Sequence, residues 1–181
     1  ALSSHHANQG RLMAFVRFLA GVAVVVAIVV GVVTFIARSS DGPLGPIAGG
    51  EFTSGELHTG PMPDWSFLAD RDTVAFQLLD PARSRTTWIM VHDGRLFIPC
   101  GYMNSTWGRL WKQWPLEAEQ DGRALLRVDG TLYPVRLDRL ESGPEVEPLV
   151  AELNRKYGAG ATVGAVESGA LWLFELEPRE A

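Results

Sequence analysis

The sequence predicts a mainly β (α+β) domain, a small barrel or curled sheet of about six to seven antiparallel strands with two short helices, carried behind one transmembrane α-helix. Three observations predict it. An uncharged apolar run lies near the N-terminus, two Asp-Gly pairs each separate β-rich segments, and the strands follow one another in hairpins instead of alternating with helices.

The apolar run is Phe18 to Ala37, FLAGVAVVVAIVVGVVTFIA, with Thr34 its one polar side chain. About twenty such residues in a helix cover the roughly 30 Å of a hydrocarbon core. A cleaved signal peptide would have a shorter apolar stretch, and a core helix seldom runs so far without a polar face. The chain begins at Ala1, as expected when an initiator Met has been removed. The expected organisation is a polar arm over 1–12, a membrane helix over 13–38, a Gly/Pro/Ser tether over 39–50 and a soluble domain over 51–181. Arg11 and Arg17 precede the span and Arg38 follows it, a margin of one charge for an N-terminus inside and a domain exported. In a bacterium that is a single-pass inner-membrane protein with a periplasmic domain.

Within the domain, Thr73 to Leu79 reads as a strand. Thr86 to Val91 and Arg95 to Ile98 flank His92-Asp93-Gly94, and Arg123 to Val128 and Thr131 to Leu137 flank Asp129-Gly130. Asp-Gly supplies the positive φ angles that a tight hairpin turn demands. Leu171 to Leu176 alternates as a last strand before Pro178, and Phe52 to His58 is a weaker one. One helix is expected over Thr106 to Trp114, capped by Ser105 and disturbed by Pro115. A second opens near Pro144 and stops at Gly158.

Charge separates the two parts. Residues 1–40 hold three of the 16 Lys and Arg and no acid, so all 21 Asp and Glu lie beyond them against 13 bases. A domain this acidic lacks the basic footprint of a nucleic-acid binder. Cys100, the single cysteine, ends an apolar strand and is expected to be a buried hydrophobe. His5, His6, His58 and His92 show no metal-ligand spacing, and no catalytic triad or glycine-rich phosphate loop stands out. No metal and no catalytic residue is expected, and a haem or pigment site on His58 or His92 has little to support it.

Trp107, Leu110, Trp111 and Trp114 fall at i, i+3, i+4 and i+7. Such a stripe commonly faces a core, but three indoles in two turns also suit a membrane surface or a partner subunit. That second reading makes these four the expected partner or membrane interface.

The runs SRTTWIMVHDGRLFI, NSTWGRLWKQW and GRALLRVDGTLYPVRL, with a helix ending in Lys156-Tyr157-Gly158, resemble the FMN-binding split-barrel superfamily, which includes pyridoxamine-phosphate-oxidase-like proteins and deazaflavin-dependent reductases. The resemblance covers most of residues 65–177. It implies a split β-barrel, a homodimer and a groove for FMN or a deazaflavin. The implied phosphate-holding residues are Arg85 with Thr86 and Thr87, then Asn104, Ser105 and Thr106 with Arg109 and Lys112 behind them. The Arg-x-x-x-Lys pair common in FMN binders is missing, because Trp88 and Ile89 follow Arg85-Thr86-Thr87.

That departure makes a chain with no cofactor the expectation. Its role would be that of a non-catalytic accessory subunit in a bacterial membrane complex, respiratory or photosynthetic, with integral membrane subunits and lipid as partners. The alternative is a membrane-tethered oxidoreductase using FMN or deazaflavin.

Overall fold

The structure, a computed structural model, describes residues 2–104 and 113–180, with side chains from residue 13 onward. The long helix α1 (Leu2–Arg38) starts within the segment expected to be an arm, and its part Met13–Arg38 is long and apolar enough to cross a membrane, as an anchor or a signal sequence is. Among the described residues nothing covers it before its last turn, where Ala37 is buried. Phe15, Val25, Ile28 and Phe35 are all exposed, which a core helix would not be.

The domain is an antiparallel sheet with one parallel addition. Its strands are β1 (Glu56–Leu57), β2 (Thr73–Leu79), β3 (Ala82–Trp88), β4 (Met90–His92), β5 (Arg95–Gly101), β6 (Arg123–Val128), β7 (Thr131–Leu140) and β8 (Leu171–Pro178). They lie in the order β3-β2-β6-β7-β8-β5-β4, with β1 parallel to β7. Only Ile89 separates β3 from β4, so the two ends of this row are joined through the chain and the sheet curls into a barrel. Both Asp-Gly pairs turn as expected, with φ of 49° and 71° at Asp93-Gly94 and 50° and 84° at Asp129-Gly130.

Three helices and a 3₁₀ turn complete the described fold: the turn at Trp65–Leu68, then α2 (Trp114–Gln120), α3 (Val146–Tyr157) and α4 (Val163–Glu167). Strand alternation sorts the core into two layers. On β8, Trp172, Phe174 and Leu176 point into the barrel with Phe76, Leu126 and Ile98, while Leu171 and Leu173 point outward. The outward layer is closed by Val146, Leu149, Val150 and Leu153 of α3, spaced i, i+3, i+4 and i+7. Gly158 ends α3 at φ 59°, a left-handed cap open to glycine at no steric cost.

Four expectations change. Thr86 to Val91 is not one strand, because the chain turns a corner at Ile89. A hairpin at Asp80-Pro81 (a cis peptide) joins β2 to β3 and had no counterpart in the sequence reading. Trp114 opens a helix where it was expected to close one, with Pro115 in the first turn. The rest of the expected helix over Thr106 to Trp114 lies outside the described residues.

The fourth change concerns residues 39–50, which form a clamp where a loose tether was expected. The Gly49 N–H donates to the Ser84 carbonyl at 2.9 Å, and the Ser84 hydroxyl donates to the Gly50 carbonyl at 2.6 Å. The Phe52 N–H donates to Gln77 Oε1. Ser84 and Gln77 are fully buried, and the Ser84 hydroxyl and Gln77 Oε1 hold Gly50 and Phe52 in place. A Cβ on Gly49 would lie 1.8 Å from the Gly42 carbonyl oxygen, and one on Gly50 would lie 2.4 Å from that of Arg38. Asp41 completes the clamp, accepting from the Thr53 N–H at 2.8 Å and Arg127 at 2.9 Å, and from the Ser54 hydroxyl. These donors, the Ser54 hydroxyl foremost, hold the Asp41 carboxyl down at about 2.

Candidate functional site

The corner at Ile89 leaves a gap that no ladder fills, because β3 and β5 stand on either side of it without pairing. A groove of about 1130 Å³ opens there. One wall is Thr86, Thr87 and Trp88 at the end of β3, and the other is Pro99, Cys100 and Gly101 at the end of β5. Leu153, Tyr157 and the loop Gly158 to Ala161 close one side, with Ala165, Ala170 and Leu171 behind. Asn104 and Trp114 line it from either side of the undescribed stretch, and Gly45 and Pro46 reach in from the clamp. The volume is a little above the roughly 300–1,000 Å³ usual for small-molecule sites.

Backbone groups at the corner are held by the end of α3. Ile89 is fully buried and belongs to no strand. Its N–H donates to the Tyr157 hydroxyl at 3.0 Å, and its carbonyl lies 2.7 Å from that hydroxyl and 3.2 Å from Lys156 Nζ. Burial pushes the Tyr157 hydroxyl up to about 12 and pulls the Lys156 ammonium below its ordinary value. The Tyr157 ring stacks on Trp88 with centroids 4.5 Å apart and planes 6° from parallel. Lys156-Tyr157-Gly158 therefore pins the corner and supplies part of the groove wall.

The candidate residues fare unequally. Thr86, Thr87 and Asn104 line the groove. Arg85 does not: its guanidinium lies 3.1 Å from Glu117 on α2, and its buried Nε has no partner among the described residues. Burial draws its pKa below the ordinary value, against the opposing pull of Glu117. Arg85 is therefore paired with Glu117 and is not part of the groove wall. Trp114 is corrected as an interface residue. It is buried, with its ring against Phe76 at 5.1 Å and Phe174 at 5.4 Å. Ser105, Thr106, Trp107, Arg109, Leu110, Trp111 and Lys112 lie outside the described residues.

Among the described residues no cluster of His, Cys, Asp and Glu could hold a metal. His58 donates from Nε2 to the Pro61 carbonyl at 3.0 Å and packs on Tyr133 at 4.8 Å, and His92 sits by Asp93 at 3.5 Å. Cys100 is 3% exposed, a wall atom with its sulfur 3.8 Å from that of Met103. Sequence reasoning missed Trp88 and the Gly158 to Ala161 loop as groove walls. The Lys-Tyr-Gly at the end of a helix was the signal that could have found them.

No charged side chain occurs among the described residues of the groove wall. The arrangement offers an aromatic platform, the hydroxyls of Thr73, Thr86 and Thr87, an amide and apolar walls. It can hold a planar heterocycle, stacked or edge-on, and exclude water from it.

No protein-family model matches the chain, and no curated protein matches it. Solved structures do. The chain is similar to a pyridoxamine 5'-phosphate oxidase-like protein from Listeria innocua at 10% identity and TM-score 0.46, covering 64% of this chain and 90% of that one. It is similar to a conserved hypothetical protein of Mycobacterium tuberculosis at 14% identity and TM-score 0.39, over 60% of this chain and 72% of that one. It is also similar to an F420 reductase at 12% identity and TM-score 0.38, over 67% of this chain and 97% of that one.

Proposed function

We propose that this chain is a membrane-tethered oxidoreductase whose groove binds a planar redox heterocycle of the flavin or deazaflavin kind. The observation that carries the reading is the groove between β3 and β5, with the Trp88–Tyr157 stack on its wall. The ring system fits these residues: Trp88 is half-exposed, so one stacked partner still leaves it surface to offer a ligand. Thr86, Thr87 and Asn104 give hydrogen-bond partners for ring carbonyls or a phosphate. When bound, such a group supplies hydride exchange at its ring. The chain's part is to orient the ring and keep water from it, through Pro99, Leu153 and Ala161. Met13–Arg38 supports the tether, and the Arg11, Arg17 and Arg38 distribution supports a bacterial inner-membrane protein with its domain outside.

The test is optical. Full-length protein purified in detergent is expected to carry a flavin-like absorbance band, or to acquire one when titrated with FMN or a deazaflavin. Trp88→Ala should weaken that binding by roughly two- to tenfold, the worth of one aromatic stack of about 0.5–1.5 kcal/mol. A chain that binds neither compound at millimolar concentration refutes the reading.

A second reading, an accessory subunit of a bacterial membrane complex, is favoured by Arg85 being tied to Glu117 beside a groove wall with no described cation. Its partners would be integral membrane subunits and lipid, with a second copy of the barrel as a further possibility of the fold. Native pull-down from mild detergent tests it, and a chain recovered alone removes it.

A further inference from the structure

The clamp carries an exposed apolar hairpin beside the membrane helix. The chain leaves the helix at Arg38, turns at Leu44–Ile47 and returns at Gly50, whose would-be Cβ lies 2.4 Å from the Arg38 carbonyl oxygen. Six extended residues span at most about 20 Å, so the tip stays within that distance of the helix end. Leu44 and Ile47 are each 43% exposed, and nothing between Gly42 and Gly50 is charged. Of the two flanking carboxylates, Asp41 is turned to Ser54, Thr53 and Arg127, and Glu51 is exposed at the base of the hairpin.

The tip also satisfies its own backbone. Leu44 and Ile47 exchange N–H to carbonyl bonds in both directions at 3.1 Å, and Pro46 has no N–H to satisfy. Such a turn enters a water-poor region at little cost, because few backbone groups need solvent. Gly45 and Pro46 stand at the groove together with Trp88 and Tyr102, which are 47% and 77% exposed. Amphipathic aromatic rings favour the headgroup zone, which adds several ångströms to each side of the hydrocarbon.

We infer that the Leu44–Ile47 hairpin dips into the lipid headgroup region and that the groove mouth, with Trp88 and Tyr102, rests on the membrane surface. This rests on the reading of Met13–Arg38 as a membrane span. The occupant of this apolar surface is lipid. The clamp makes the placement rigid, since Gly42, Gly49 and Gly50 leave no space for the hairpin to swing without breaking their close approaches.

The test uses the full chain in nanodiscs of phosphatidylethanolamine and phosphatidylglycerol. An environment-sensitive fluorophore is attached at Ile47→Cys, at Leu44→Cys and, as a control, at Phe67→Cys. Phe67 is 58% exposed and follows Trp65, whose N–H bonds the Gly94 carbonyl at the far end of β5 from the groove. The unaltered chain, with Cys100 buried, gives the labelling blank. Expected at 44 and 47 are blue-shifted emission, quenching by nitroxide lipids and several-fold weaker quenching by iodide than at 67. Iodide quenching at 44 and 47 equal to that at 67, in a chain that resists alkaline carbonate extraction, overturns the hairpin's placement and leaves the span intact. A chain stripped from membranes by carbonate overturns the span, and this inference with it.

Discussion

Replacing Tyr157 by Phe isolates one hydroxyl at the corner of the barrel. Ile89 belongs to no ladder and is fully buried, so its N–H depends on the Tyr157 oxygen 3.0 Å away. Its carbonyl keeps Lys156 Nζ at 3.2 Å when the hydroxyl is gone, whereas the N–H has no second acceptor shown. One buried donor left unsatisfied costs about 1–3 kcal/mol. The Phe ring preserves the stack on Trp88, so the loss belongs to the hydroxyl. Urea unfolding of the full chain in detergent, followed by tryptophan fluorescence, should show a midpoint lower by about 1 M for a slope near 2 kcal/mol/M. The pH dependence supplies a second readout. Burial pushes Tyr157 from its ordinary 10.0 up to about 12, so the folded chain holds a proton that the unfolded chain releases between those values. Its contribution is complete below pH 10 and is lost as pH rises toward 12. The gap between wild type and Tyr157→Phe should narrow over that window. Equal midpoints at neutral pH, or a gap constant to pH 12, would refute the account.

Three further outcomes follow from contacts elsewhere. Gly49→Ala places a Cβ 1.8 Å from the Gly42 carbonyl oxygen, so the clamp should open and limited proteolysis should cut within 39–50 faster than in wild type. Glu117→Gln leaves the half-buried Arg85 guanidinium without its counter-charge and should cost about 1–3 kcal/mol in the same urea assay, while Arg85→Met with Glu117→Leu should recover much of that loss. Asp41 is held at about 2 against an ordinary 3.8, so its contribution is present above pH 4 and is lost as pH falls toward 2. Acid should therefore accelerate cleavage of the clamp in wild type, and Asp41→Asn should be cleaved readily at neutral pH.

What could be read from the sequence was local. Asp93-Gly94 and Asp129-Gly130 announce their turns because few residues accept positive φ, and β2, β6 and α3 announce themselves by spacing. The corner at Ile89 could not be read, because TTWIMV has the β-branched and aromatic content of one continuous strand. What bends it is a hydroxyl and an ammonium 68 and 67 residues further along. The groove was legible only as a resemblance, for the same reason. Arg85 looked available in sequence, and its acceptor Glu117 lies 32 residues away on a helix, Trp114–Gln120, that was not expected from the sequence. Glycine and proline in 39–50 had two meanings, freedom or close approach, and composition does not distinguish them. Only the contacts with Ser84, Gln77 and Arg127 do.

The Arg85–Glu117 pair also decides what sort of affinity the groove can have. With that cation engaged, the described wall attracts a ligand through stacking, apolar burial and neutral hydrogen bonds, and none of these depends strongly on salt. A ligand held this way is chosen for its ring, and a phosphate at its tail adds only what the Thr86 and Thr87 hydroxyls return. FMN and riboflavin should then bind within a few-fold of each other, with affinities little changed between low and high ionic strength. FMN binding more than tenfold tighter, in a manner that salt abolishes, would show that charge governs the site. The charge would then come from outside the described wall, and Arg109 and Lys112 would be the residues to replace first.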